Sequence, residues 1–92
     1  MRNAKDANQD EIVEALRSCG CSVAITSQNG DGFTDIVVGC SGENYLIEIK
    51  DENKPPSRRK LTPKQEKFHS TWKGQVDVAK NIDEALKIVG LK

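Results

Sequence analysis

Residues 32 to 50 read GFTDIVVGCSGENYLIEIK, two apolar β-type runs joined at Ser41-Gly42, and each run carries one acidic residue for which a core has no use. Enrichment in Val, Ile and Phe predicts strands over 33 to 39 and 44 to 50, with Ser41-Gly42 as the hairpin turn. A turn centred there pairs position 35 with position 48. Directly opposed residues on antiparallel strands hold their Cβ atoms about 4.5 to 5.5 Å apart, so Asp35 and Glu48 leave the sheet on one face. Lys50, two residues on, shares that face. Like charges in this arrangement destabilise a sheet unless a cation compensates them. Oxygen donors at a half-buried site suit Mg²⁺ or Mn²⁺, with the spare coordination positions filled by water and a substrate phosphate. The triplet Glu48-Ile49-Lys50 is common by chance, and charge-rich edge strands exist. What marks it is its place in the most apolar run of the chain, where unpaired charges are excluded.

Upstream, Asp6 or Asn8 can cap a first helix in which Ile12, Val13, Ala15, Leu16 and Cys19 fall on one side and Gly20 is the stop. With Ile12 as the centre of the apolar face, Glu14 lies about 160° away in water and Glu11 about 100° away, at the margin of the packed face and within reach of the sheet. Ser22 to Ser27 reads as a strand, and residues 28 to 32 (QNGDG) as a loop. Downstream, residues 51 to 60 (DENKPPSRRK) have no apolar side chain beyond two prolines and read as an exposed loop. Thr62-Pro63-Lys64-Gln65 is a helix start, with Thr as N-cap, Pro at N1 and Gln at N3 completing a capping box. That helix runs to about Lys73, and Gln65 lies on the same face as Phe68 and Trp72, so it can both cap the helix and touch the site. Residues 75 to 79 form a short strand, and Asn81 or Asp83 opens a last helix with Ile82, Ala85, Leu86 and Val89 inward. The fold class is α/β: an αβββαβ core plus a C-terminal helix, with a mixed central sheet flanked by helices and a parallel, right-handed third-to-fourth strand crossover.

Ninety-two residues make one domain, spanning 1 to 92, with no apolar run long enough to span a bilayer. The N-terminus lacks the apolar core of a signal peptide, so a cytoplasmic protein is expected. Three cysteines are an odd number, read here as reduced thiols, with Cys21 and Cys40 filling core space. Zinc would need better ligand spacing than these and the single His69 provide. Net charge is zero, yet residues 1 to 52 hold ten acids and four bases while residues 53 to 92 hold four acids and ten bases. A basic half beside an acidic pocket suits a protein that grips a polyanion, with Lys54, Arg58, Arg59, Lys60, Lys64 and Lys67 as the phosphate contacts.

Taken together, the element order and these residues resemble the PD-(D/E)XK nuclease superfamily, most closely its small phage-type members, the VRR-NUC nucleases. The resemblance covers nearly the whole chain. Its pattern of an acid on the first helix, an Asp at the second strand, a (D/E)-x-K on the third and a Gln on the next helix falls here on Glu11, Asp35, Glu48-Ile49-Lys50 and Gln65. Thr34 stands where the superfamily name places proline, a position that supplies no ligand. The resemblance implies a restriction-endonuclease-like fold and a metal-dependent DNA endonuclease selective for branched or duplex DNA, in phage or prophage replication, recombination or repair within a bacterial host. It further implies that Asp35, Glu48 and the backbone carbonyl of Ile49 hold Mg²⁺ or Mn²⁺ with support from Glu11, that Lys50 orients the attacking water, that Gln65 holds the lysine or the water, and that the protein is a homodimer. The competing expectation is an inactive nucleic-acid-binding module of a larger assembly.

Overall fold

The computed structural model describes residues 6 to 92; residues 1 to 5, part of the N-terminal stretch read above, lie outside the described residues. Helix α1 (Gln9–Ser18) is followed by strands β1 (Ser22–Ile25), β2 (Ile36–Cys40) and β3 (Glu43–Ile49), a 3₁₀ turn (Pro56–Arg58), helix α2 (Pro63–Thr71), strand β4 (Asp77–Ala79) and helix α3 (Ile82–Ile88). The four strands form one sheet in the order β1-β2-β3-β4, antiparallel except for the parallel pair β3 and β4. The mixed sheet and helix order are those the sequence predicts.

Alternation along the hairpin divides the sheet into two unlike faces. Ile36, Val38 and Cys40 on β2 and Ile47 and Ile49 on β3 join Ile12, Val13 and Leu16 of α1 and Ala85 of α3 in a single buried cluster. The intervening positions Asp35, Glu48 and Lys50 project to the opposite face, where α2 meets them through Gln65. One face therefore builds the core and the other holds polar groups. A crossover helix is what closes that second face.

Several boundaries differ from the sequence reading, each for a local reason. Strand β2 begins at Ile36 because Asp35 uses its side chain to accept from the Ile49 N–H at 2.8 Å, although its carbonyl still accepts from Thr26 N–H at 2.8 Å. Strand β4 begins at Asp77 because Gln75 pairs with β3 through its side chain, accepting from Leu46 N–H at 2.7 Å and donating to Leu46 O at 3.0 Å. Asn8 occupies the N-cap of α1 without a capping bond, since its Nδ2 donates to Lys50 O at 3.3 Å and Lys80 O at 3.0 Å. It ties the helix start to the ends of β3 and β4. The segment after β3, expected as an open loop, is a run of turns in which Asn53 N–H donates to Asp51 Oδ1 at 2.9 Å and Pro56–Arg58 winds a 3₁₀ turn.

The starts of α2 and α3 follow their sequence signatures. Thr62 Oγ1 accepts from Gln65 N–H at 3.2 Å while Gln65 Oε1 accepts from Thr62 N–H at 2.9 Å, the reciprocal capping box. Asn81 Oδ1 accepts from Glu84 N–H at 2.8 Å. Ahead of β2, Phe33 packs edge-on against Phe68 of α2, with ring centroids 5.4 Å apart, so the loop before Asp35 and the helix carrying Gln65 are held together.

Gly32 makes that approach feasible. Its φ is +80°, and a Cβ there would lie 2.7 Å from the Lys64 carbonyl carbon and closer still to its oxygen, at the start of α2. Gly32→Ala should therefore destabilise by roughly 2 to 4 kcal/mol, adding a backbone clash to the left-handed strain. Gly30, at φ +75° with open space around it, should show only the strain, about 1 kcal/mol on mutation to Ala. Urea denaturation of the two variants checks this; equal losses would mean that α2 does not press on the loop.

Candidate active site

The register Ile36 opposite Ile47, continued one residue ahead of the start of β2, sets Asp35 opposite Glu48. Glu48 is only 2% exposed and Lys50 is 8% exposed, so both charged groups leave the strand into a closed corner beneath the start of α2. Gln65 fills that corner. Its Nε2 donates to Glu48 Oε2 at 2.8 Å, and its Oε1 accepts from Lys50 Nζ at 2.9 Å in addition to the Thr62 N–H. The amide thereby has its oxygen facing donors and its nitrogen facing a carboxylate. Lys50 Nζ lies 3.8 Å from Glu48 Oε2, close enough to attract but bonded through the glutamine.

The remaining Glu48 oxygen, Oε1, is buried and has no hydrogen-bond partner among the described residues. Burial first, then the charge of Asp35, push the Glu48 carboxyl up to about 9; Lys50 pulls it down and Asp6 adds a further upward push. Without a cation, Glu48 therefore carries a proton at neutral pH. This is the ordinary response of two carboxyl groups confined in one site, where the second charge is excluded unless something positive arrives.

Not all of the expected site residues converge. Asp35, Glu48, Lys50 and Gln65 come together, with Ile49 between two of them offering its main chain. Glu11 does not join them: it is exposed on α1, and the buried residues of that helix are Gln9, Ile12, Val13 and Leu16. The correction has a geometric cause. Gln9 and Val13 belong to the packed face, so its centre is displaced from Ile12 and Glu11 lies roughly 150° from it rather than at its margin. The acid ahead of α1 whose charge does reach Glu48 is Asp6, ion-paired to Lys54 at 3.1 Å. Gln9 was missed because polar residues are read as solvent-facing; it is 1% exposed, and both atoms of its amide lack partners among the described residues. The signal was available in its spacing, three, four and seven residues before Ile12, Val13 and Leu16.

The basic residues divide as well. Arg58, Lys60, Lys64 and Lys67 are exposed, and Lys64 and Lys67 line a surface groove with Asp31, Phe68 and Thr71 beside α2. Lys54 is committed to Asp6, and Arg59 is half-buried.

Among the described residues, no three His, Cys, Asp or Glu side chains form a cluster able to hold a metal ion. The donor set is two carboxyl groups with a main-chain carbonyl nearby, and one of those carboxyl oxygens is buried and unpartnered. Mg²⁺ is held in this manner, by one or two carboxylates with the rest of its shell from water and substrate oxygens, so the residues fit such an ion.

A solved structure described as "VRR_NUC domain" superposes on this chain with a TM-score of 0.63 at 25% identity, covering 88% of each chain. The chain has a VRR-NUC-like nuclease fold. No protein-family model matches it, and no curated protein does. In this VRR-NUC-like fold the polar sheet face under α2 is where the buried acid, the lysine and the glutamine meet.

The raised Glu48 carboxyl makes a pH-dependent prediction for the metal-free protein. A group whose folded pKa is near 9 and whose ordinary value is 4.5 favours the folded state fully below about pH 4.5, and this contribution is lost as pH rises through 9. Glu48→Gln mimics the protonated acid at every pH. In chelator, its Tm should exceed that of the unaltered protein by at least about 4 °C at pH 8, equivalent to roughly 1 kcal/mol, with the gap narrowing toward pH 5. A difference that does not vary with pH would contradict the raised value.

Proposed function

We propose that the protein is a divalent-metal-dependent nuclease that hydrolyses DNA phosphodiester bonds. The observation that carries the reading is the buried Glu48–Gln65–Lys50 hydrogen-bonded chain beside Asp35, on a VRR-NUC-like fold. Two opposed acids that share the single counter-charge of Lys50, itself held in place by Gln65, suit phosphate chemistry better than they suit stability. Asp35 and Glu48, with the carbonyl of Ile49, are proposed to hold Mg²⁺ or Mn²⁺, and Asp6 takes the supporting role first expected of Glu11. Such an ion, when bound, lowers the pKa of its water and neutralises charge on the phosphate.

The chain's own groups do the positioning. Lys50 Nζ, held at 2.9 Å by Gln65 Oε1, points a fixed positive charge and its remaining donors toward the Glu48 corner, where they can orient an attacking water and stabilise charge developing on phosphate oxygens. Gln65 fixes the lysine and the carboxylate in one geometry, and its position follows from its capping role at α2. Glu48 would have to lose its proton to serve as a ligand, so the two carboxyl groups would carry one more negative charge with an ion bound than without it. Exposed Arg58, Lys60, Lys64 and Lys67, with Arg59 and Lys54 behind them, are proposed as the DNA backbone contacts that place the scissile phosphate.

A second copy of the chain would lengthen this contact surface, which is small for one domain, and a homodimer on branched or duplex DNA is part of the proposal. A role in phage or prophage replication, recombination or repair, in the bacterial cytoplasm, rests on the resemblance alone. Among the described residues no helix is long and apolar enough to cross a membrane.

The test is cleavage of a panel of labelled single-stranded, duplex, flap and four-way-junction DNAs in Mg²⁺ or Mn²⁺. Lys50→Ala should leave fold and DNA affinity nearly unchanged while reducing cleavage by at least ~10², the scale of loss for a positioned electrostatic or proton-transfer group. If the unaltered protein binds several of these DNAs yet cuts none in either metal, the inactive binding-module reading replaces this one.

A further inference from the structure

Away from the polar face, at the opposite end of β2, two cysteines stand across from one another. Cys21 precedes β1 by one residue and Cys40 ends β2; the register Ser22 opposite Gly39, continued one step, sets them as a directly opposed pair. Opposed residues on antiparallel strands have Cα atoms about 4.5 to 5.5 Å apart, within the 4.4 to 6.8 Å that a disulfide spans. The Sγ atoms lie 2.7 Å apart, and both are free thiols, at 6% and 7% exposure. Two cysteines that only filled volume would have no need to approach this closely. Formation of an S–S bond of about 2.05 Å requires a further approach of only about 0.6 Å, which side-chain torsions can supply.

We infer that Cys21 and Cys40 form a reversible redox site, closing to an intrachain disulfide under a two-electron oxidant of the hydroperoxide class and reopening with a dithiol. One sulfur attacks a peroxide oxygen and the O–O bond breaks; the departing oxygen takes the thiol proton and leaves as water from hydrogen peroxide or as an alcohol from an organic hydroperoxide, giving a sulfenic acid. The other sulfur then displaces the sulfenic oxygen, which leaves with the second thiol proton as water. Both sulfurs are oxidised and one peroxide is reduced. Burial, followed by the bond to Cys40, pushes the Cys21 thiol up to about 11, so its attack on peroxide is slower than that of an exposed thiol.

The link acts on the edge of the sheet. Strand β1 is an edge strand, paired on one side only, and its residues are mostly exposed. A bond from Cys21 to Cys40 closes a loop that contains the whole approach to Asp35, while the bond itself sits about 16 Å from that residue along β2. It therefore fastens β1 without touching the carboxyl pair.

The experiment uses Cys19→Ser, which removes the exposed thiol and leaves only these two. Purified protein is treated with hydrogen peroxide, and thiols are then alkylated under denaturing conditions and counted by intact mass. The expected result is a monomer with no alkylatable thiol and two hydrogens fewer, restored to two thiols by dithiothreitol, with Tm raised by roughly 10 °C in the oxidised form. Adding Cys40→Ser should remove the Tm response to peroxide. With the fold intact by circular dichroism, two thiols that remain alkylatable, a sulfinic acid on either, or a link between two molecules would overturn the inference.

Discussion

Two carboxyl groups occupy directly opposed positions on neighbouring strands, on the face of the sheet that the hydrophobic core does not use, and a helix closes over them. Mutual repulsion and loss of water both disfavour ionising the pair, so Glu48 is held protonated and one of its oxygens is left without a partner. Much of the surrounding structure is arranged to tolerate this. Gln65 supplies one hydrogen bond to Glu48 and one to Lys50, the lysine supplies a counter-charge at 3.8 Å, and the Ile49 N–H satisfies Asp35. A core without function would place an apolar pair at 35 and 48.

Positioning of the site comes from elements that serve other purposes as well. Gln65 is the third residue of α2, and its Oε1 serves the capping box and the lysine together, so the geometry of the helix start is also the geometry of the site. The start of α2 can come close to the loop before Asp35 because Gly32 has no side chain, and Phe33 then packs on Phe68. Asn8, which leaves α1 uncapped, links that helix to the carbonyls of Lys50 and Lys80. Each end of the polar corner is therefore fastened by a side chain from a different helix.

The hairpin and the capping box were legible in the sequence because both are local: a Ser-Gly turn sets the register that opposes 35 to 48, and Thr-Pro-x-Gln specifies a helix start within four residues. What could not be read depends on packing between distant segments. A helical wheel centred on Ile12 places Glu11 within reach of the sheet; the burial of Gln9 turns the packed face away from it. Asn8 and Gln75 make side-chain bonds to strands more than twenty residues away, and no local pattern announces such partners. Cys21 and Cys40 were rightly read as buried, but their opposition follows only from the β1–β2 register across a loop of irregular length.

The central claim is that the Asp35–Glu48 pair holds one proton in the absence of a cation and gives it up when a divalent cation enters. Calorimetric titration of Mn²⁺ into the protein at pH 7, repeated in buffers of different ionisation enthalpy, measures the protons released per metal bound. Binding should release about one proton, because Glu48 must ionise to serve as a ligand, and Asp35→Asn should abolish the binding. Metal binding with no proton release, or binding that survives Asp35→Asn unchanged, would contradict the account.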